Sequence, residues 1–286
     1  MKEKKPKNAP KQSKQPDSQP LDKRRGIRTE ILMSEAMPKL TNPVLIEGLP
    51  GIGFVGKLAA DHMVEELKAK KVAELYSHHF PHQILINKDG SIRMLNNELY
   101  IFKDPNKKND LIVLVGDVQP MTPESQYEVM NVILNFAEEH GVKQVLTLGG
   151  YGIGRITDKT RVFGAVTDKR DAEGYKKHGI LFGVAEGSIL GAAGLLLGLG
   201  KMRGMNGICI MGETHGNYID HKAAKKVIET LSSILGIKIN TDKLEKKAKE
   251  SEEMIRKIEE ESRKGEAPVS GMMELPKKPE DLSYIR

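Results

Sequence analysis

The chain has 286 residues, 45 Lys/Arg against 39 Asp/Glu for a formal net charge of +6, a single cysteine and no tryptophan. That length suffices for one large domain or two small ones, and one cysteine excludes both an intramolecular disulfide framework and a thiolate zinc cluster, pointing to a reducing cytosol. The charge does not indicate nucleic acid: nine basic and three acidic residues within the first 25 account for the whole +6, leaving the rest neutral.

Residues 1–25 are Lys, Pro, Gln and Ser with almost nothing apolar, which predicts a disordered, solvated basic tail. No apolar run follows this positive start, so no signal-peptide core is read and a cytoplasmic location is expected. From residue 43 onward, short β-type runs alternate with amphipathic helical runs, the pattern of an α/β layer structure. Residues 44–47 (VLIE) read as a buried strand, followed by a glycine-rich turn and a helix over 57–68 with Leu58, Ala59, Met63, Val64 and Leu67 on one face.

In that turn Gly51, Gly53 and Gly56 spell G-x-G-x-x-G, and Glu74, near the end of the next strand (72–76), lies at the distance of a ribose contact in a dinucleotide site. The same residues read G-x-x-x-x-G-K up to Lys57, a P-loop in which Leu58 replaces the magnesium-binding Ser or Thr, while Pro50 and Phe54 obstruct backbone approach to a phosphate. The competing reading is that these glycines let the helix sit tightly on the first strand. His78, His79 and His82 form the one histidine cluster. In a strand His78 and His82 share a face while His79 points away, and His215 or Glu213 are unsupported as further ligands, so no metal site is expected.

Residues 84–95 carry a hairpin with Asp89-Gly90 at its turn, and 99–102 a further strand. The run 110–116 (DLIVLVG) is the continuous apolar strand expected at a sheet centre. Thr122 as N-cap and Pro123 as first helical residue open a helix that turns Tyr127, Met130, Ile133, Leu134 and Ala137 inward and ends at Gly141. A strand over 142–148 leads into a second glycine loop with Gly150, Gly152 and Arg155 as candidate ligand residues at the same sheet edge as the first, where Arg155 with Arg161 could meet an anion. Strands over 162–167 and 207–211 follow, with Cys209 read as a buried, inert thiol. Between them, residues 189–200 form a Gly-laden apolar stretch of about twelve, too short for a bilayer and read as a buried helix. Residues 213–216 (ETHG) resemble a site loop but supply no nucleophile and base pair.

A helix over 223–235 closes an α/β domain spanning 26–240. Over 241–264 an amphipathic helix recurs with Leu244, Ala248, Ser251, Ile255, Ile258 and Ser262 at heptad spacing, a seam for packing on the body or a partner helix. Residues 265–286 are again Pro- and Lys-rich, a flexible tether ending in an apolar and aromatic cluster, Leu282, Ser283, Tyr284, Ile285 and Arg286, which reads as a docking peptide.

VLIEGLPGIGFVGK at 44–57, LTLGGYGIG at 146–154 and GVAEGSI at 183–189 together resemble the PAC2 family of proteasome-assembly chaperones, its archaeal members in particular, over roughly residues 28–240. The resemblance implies an α/β sandwich on a mixed sheet, similar to nucleoside phosphorylases, in a homo-oligomer or one with a paralogous subunit. It also implies binding to proteasome α-subunits with no cofactor and no catalysis. Docking in that family is attributed to a C-terminal hydrophobic-Tyr-any motif; here Tyr284 stands third from the end, so the register is shifted. The expectation is therefore a non-enzymatic assembly chaperone or regulator that contacts the α-ring of the core particle through Leu282 to Arg286, without nucleic acid or membrane. Two alternatives stand beside it: an ATP-independent activator of the mature proteasome, and a nucleotide-binding protein or enzyme using the glycine loops.

Overall fold

The computed structural model describes residues 28–263 apart from 107, 158 and 184–186, with side chains as far as residue 253. Eleven strands and six α-helices alternate through this stretch. A nine-stranded sheet has at its centre four mutually parallel strands, β7 (Leu111–Gly116), β2 (Val44–Gly48), β8 (Gln144–Gly152) and β11 (Asn206–Thr214), in that order. Beyond β7 the sheet continues antiparallel through β6 (Asn97–Phe102), β3 (Lys70–Tyr76) and β1 (Glu30–Met33). Beyond β11 come antiparallel β9 (Val162–Val166) and the short β10 (Ile180–Leu181).

Because side chains alternate across a pleated sheet, strands apolar at every position must be covered on both faces. Val44, Ile46, Val113, Leu146 and Ile208 point to a layer made by α1 (Val55–Glu66) and α5 (His221–Leu235). Leu45, Ile112, Leu114, Val145 and Cys209 point to a layer made by α2 (Pro123–Glu139) and α4 (Ala192–Met202). The result is a three-layer α/β sandwich on a mixed sheet, the expected fold class. A fifth helix, α3 (Ala172–Lys176), is a single turn between β9 and β10.

Local chemistry explains the boundaries. The Thr122 hydroxyl accepts from Ser125 N at 3.3 Å and the Ser125 hydroxyl accepts from Thr122 N at 2.9 Å, closing a capping box ahead of Pro123. Met130, Ile133, Leu134 and Ala137 of α2 are fully buried, whereas Tyr127 is 51% exposed, contrary to expectation. Ser125 and Gln126 fill the inward places of the first turn, Gln126 donating to Pro120 O at 2.8 Å, and this leaves the tyrosine on the flank. The apolar helix α4 buries Ala192, Leu196 and Leu197 but leaves Met202 84% exposed, so it is covered along one face only. The predicted hairpin is present as β4 (Ile84–Ile86) and β5 (Ile92–Met94), with Gly90 at φ +83° in its turn, but it forms a separate two-stranded ribbon outside the main sheet.

The last described element, α6 (Asp242–Arg263), lies on α5 and near the end of α1. Leu244 and Ala248 are buried there, Ser251 meets His221 Nδ1 at 3.1 Å, and Lys243 reaches Glu65 and Glu66 of α1 at 2.6 and 2.8 Å. The first half of the predicted seam therefore packs on the body; the side chains of Ile255, Ile258 and Ser262 lie outside the described residues, as do the tails 1–25 and 265–286.

Candidate functional site

The C-terminal ends of β2, β8 and β11 lie side by side, and the two glycine segments meet there. After β2 the chain makes a single 3-10 turn, Ile52–Phe54, in which Gly53 (φ +61°) and Phe54 (φ +54°) both adopt left-handed backbone, and α1 begins at Val55. The turn lies across β8, where a Cβ on Gly150 would stand 2.3 Å from Ile52 O and one on Gly152 would touch the Ile52 side chain at 3.4 Å. The segment read as a second loop, 149–152, is the end of strand β8, hydrogen-bonded in register with Met211 to Thr214 of β11. Its glycines permit that strand to run beneath the turn. Asp220 N donates to Gly53 O at 3.0 Å, which ties the turn to the start of α5 as well.

The other glycines of the first motif serve close packing. A Cβ on Gly48 would meet Ala60 Cβ at 2.4 Å, and one on Gly56 would meet Leu148 O at 2.2 Å, so α1 rests directly on β2 and β8. Only Gly51 is open, with nothing nearer than 3.9 Å. Lys57 is buried and its ammonium lies 2.8 Å from Asp61, one helical turn further along α1. Glu74 sits on β3, separated from β2 by β6 and β7, and accepts from Tyr76 at 2.9 Å. The dinucleotide arrangement requires a strand next to β2 at that point, so Glu74 does not face the turn. What the turn presents to solvent is apolar: Ile52 is 49% and Phe54 39% exposed.

Gln119, which the sequence pattern does not single out, links three elements beneath this edge. Its amide donates to Pro50 O at 2.7 Å, and its carbonyl accepts from Ala192 N at 2.9 Å and from Gln126 Nε2 at 3.2 Å. The glycine turn and the starts of α4 and α2 are thereby held together.

Beside the turn lies a cleft of about 320 Å³ lined by Arg155, Thr157, His215, Tyr218, Lys222 and Glu252 among others. Its floor is charge-compensated. Glu213 is buried and accepts from Arg161 Nε at 3.0 Å; that guanidinium holds its carboxyl below the usual carboxylate range. Arg161 also lies over the Phe163 ring at 5.1 Å, and Lys222 pairs with Glu252 at 2.7 Å.

A buried polar row crosses the sheet one layer down, with Glu47, Thr147 and Cys209 in register on adjacent strands. Burial pushes the Glu47 carboxyl up to about 8, with Leu49 N–H bonded to Oε1 at 2.8 Å and Oε2 without a partner among the described residues. Burial likewise pushes the Cys209 thiol up to about 12, so it is a protonated thiol at neutral pH, unsuited to nucleophilic attack.

The histidine cluster is not on a strand. It lies in the turn following β3, where His78 and His79 stack with ring centroids 3.8 Å apart and His79 Nε2 is 2.8 Å from Glu128 of α2. His82, His215 and Glu213 take no part in this group.

The candidate docking residues Leu282, Ser283, Tyr284, Ile285 and Arg286 lie outside the described residues, as do Val184, Ala185 and Glu186 of the third quoted motif.

Comparison with known proteins gives this architecture a family. The PAC2 family model matches residues 45–259, and the chain belongs to that family. It is 42% identical over 246 residues to an uncharacterized protein of Methanocaldococcus jannaschii, covering 86% of this chain and 93% of that one. Among solved structures it resembles Pyrococcus furiosus PbaB, described as an archaeal proteasome activator, with a TM-score of 0.77 and 45% identity over 81% of this chain and 99% of that one. It also resembles Pyrococcus furiosus PbaA, described as an archaeal homolog of proteasome-assembly chaperone, with a TM-score of 0.68 and 27% identity over 84% of this chain and 95% of that one. Among the described residues no helix is long and apolar enough to cross a membrane.

Proposed function

We propose that this chain is a non-enzymatic, cytoplasmic regulator of the proteasome core particle, acting as an assembly chaperone or activator and binding the α-ring through Leu282 to Arg286. The observation that carries the reading is the 45% identity to PbaB, a proteasome activator, across 99% of that chain. The lower identity to PbaA, 27%, favours the activator over the assembly role. The site geometry is in keeping with a surface that recognises protein: the glycine turn exposes Ile52 and Phe54, and Lys57 is engaged by Asp61.

The tail contributes an aromatic anchor, Tyr284, with apolar Leu282 and Ile285 beside it on a Pro- and Lys-rich tether. Such a peptide binds weakly by itself, and repetition around an oligomer raises its effective affinity. The reading therefore includes a homo-oligomer, with or without a paralogous subunit. Support for self-association comes from the β4–β5 ribbon, where Ile84, Ile86, Ile92 and Met94 share one face and are 49%, 77%, 64% and 47% exposed. Leu85 on the other face of the ribbon packs against the core and Arg93 is hydrogen-bonded to Asp117, so the ribbon is held on the body with these four apolar side chains outward, a contiguous patch that a second copy can cover.

The test is binding of the full-length protein, of the chain cut after Pro279 and of Tyr284→Ala to purified core proteasome, with peptide hydrolysis followed in parallel. Binding by the full-length form alone, with faster hydrolysis, is the expected result. Equal binding by all three forms removes the tail from the reading, and no binding by any form removes the proteasome.

A further inference from the structure

We propose that His78, His79 and Glu128 form a binding site for a divalent transition-metal ion of the zinc type. One ligand atom from each residue lies within 4.8 Å of the other two. His79 Nε2 and Glu128 Oε2 are already 2.8 Å apart, and ligands about 2.1 Å from a tetrahedral ion stand roughly 3.4 Å from one another, so modest side-chain rotation admits the ion. Two imidazoles and one carboxylate select zinc, cobalt, nickel or copper over magnesium or calcium, which prefer all-oxygen shells.

The neighbours of these ligands hold them for the task. Thr29 Oγ1 donates to Glu128 Oε1 at 2.7 Å, which leaves Oε2 turned to the histidines. Thr29 Oγ1 also lies 2.9 Å from the Ser77 hydroxyl, and that hydroxyl accepts from His79 N at 3.1 Å, so one small network fixes both the carboxylate and the histidine backbone. Such outer partners orient metal ligands and raise affinity. His78 is exposed and Glu128 half-exposed, which gives an ion and a completing water direct access. The ligands come from the turn after β3 and the first half of α2, with Thr29 supporting them from the segment before β1, so an ion there clamps that turn to the helical layer.

The experiment is calorimetric titration of the full-length, chelator-treated protein with zinc chloride, paired with cobalt(II) absorption spectra. The expected result is one ion per chain in the micromolar range or tighter, with a rise in Tm. His79→Ala and Glu128→Gln should each weaken binding at least about tenfold, and Thr29→Val should weaken it by roughly tenfold through loss of positioning. These side chains are at the surface, so far-ultraviolet circular dichroism should show an unchanged fold in each variant. The absence of saturable binding overturns the site, and so does binding that His79→Ala and Glu128→Gln leave unaltered, since that places the ion elsewhere.

Discussion

Gly56 of α1 lies so close to β8 that a Cβ built on it would stand 2.2 Å from the carbonyl oxygen of Leu148. A backbone oxygen cannot rotate away as a side chain can, so the helix and strand must separate to admit even a methyl group. Gly56→Ala is therefore expected to cost about 1–3 kcal/mol or more by overpacking. Gly198, also helical but with nothing within 4 Å of its Cβ position, makes the control: Gly198→Ala should gain about 0.5–1 kcal/mol. Urea denaturation of both variants checks the contrast, and equal stabilities would mean that the contact at Leu148 O is not tight in solution.

Glu47 should give the protein a stability that falls with rising pH. Its carboxyl titrates near 8 when folded and near 4.5 when unfolded, so between those values the unfolded chain releases a proton that the folded chain keeps. This contribution is most favourable below the unfolded value, erodes from about pH 4.5 to 8, and is level above that, for a total of roughly a few kcal/mol. Glu47→Gln keeps the acceptor for Leu49 N–H and removes the titration. Its Tm profile should be flatter than that of the parent between pH 5 and 9; parallel profiles would place the charge elsewhere.

The Arg161–Glu213 pair has the opposite sign. Arg161 holds the Glu213 carboxyl below its usual range, so the stabilisation is present above the unfolded value and is lost as pH falls through the folded one. Glu213 is buried but Arg161 is 47% exposed, and solvent screening reduces what the pair contributes. Arg161→Met should lower the stability at pH 7, because it strands a buried carboxylate, and lower it clearly less at pH 4. Chemical denaturation at the two pH values reads the difference.

Self-association through the β4–β5 ribbon predicts that Ile86→Asp combined with Ile92→Asp lowers the mass measured by light scattering to that of a monomer. Circular dichroism should be unchanged, since both side chains are mostly exposed in the single chain. An unaltered mass would assign the subunit contact to another surface.

Much of the fold is legible in the sequence because local signals and burial agree there. The apolar run at β7, the Thr122-Pro123 cap of α2 and the Asp89-Gly90 turn each specify their element through backbone chemistry that needs no distant partner. The glycines carry a more ambiguous local signal. A run such as Gly149-Gly150-Tyr151-Gly152 reads as a loop from composition, yet it is strand, and a turn from residues 51–54 lies across it so closely that at Gly150 only glycine leaves the room. Tyr127 matches the inward stripe by spacing, yet Ser125 and Gln126 take the inward places of that turn.

The α/β layering, the neutral body behind a basic head, and the PAC2 motifs whose family the match establishes are all written in the order of residues along the chain. Those properties follow from composition, periodicity and short-range turn chemistry, which are written along the chain. Packing is what sets Glu74 apart from the glycine turn, pairs Lys57 with Asp61, makes Gln119 tie three elements together and brings Glu128 to His78 and His79. Each of these depends on strand order and helix placement, which set distances between residues far apart in sequence and are fixed by how whole layers pack.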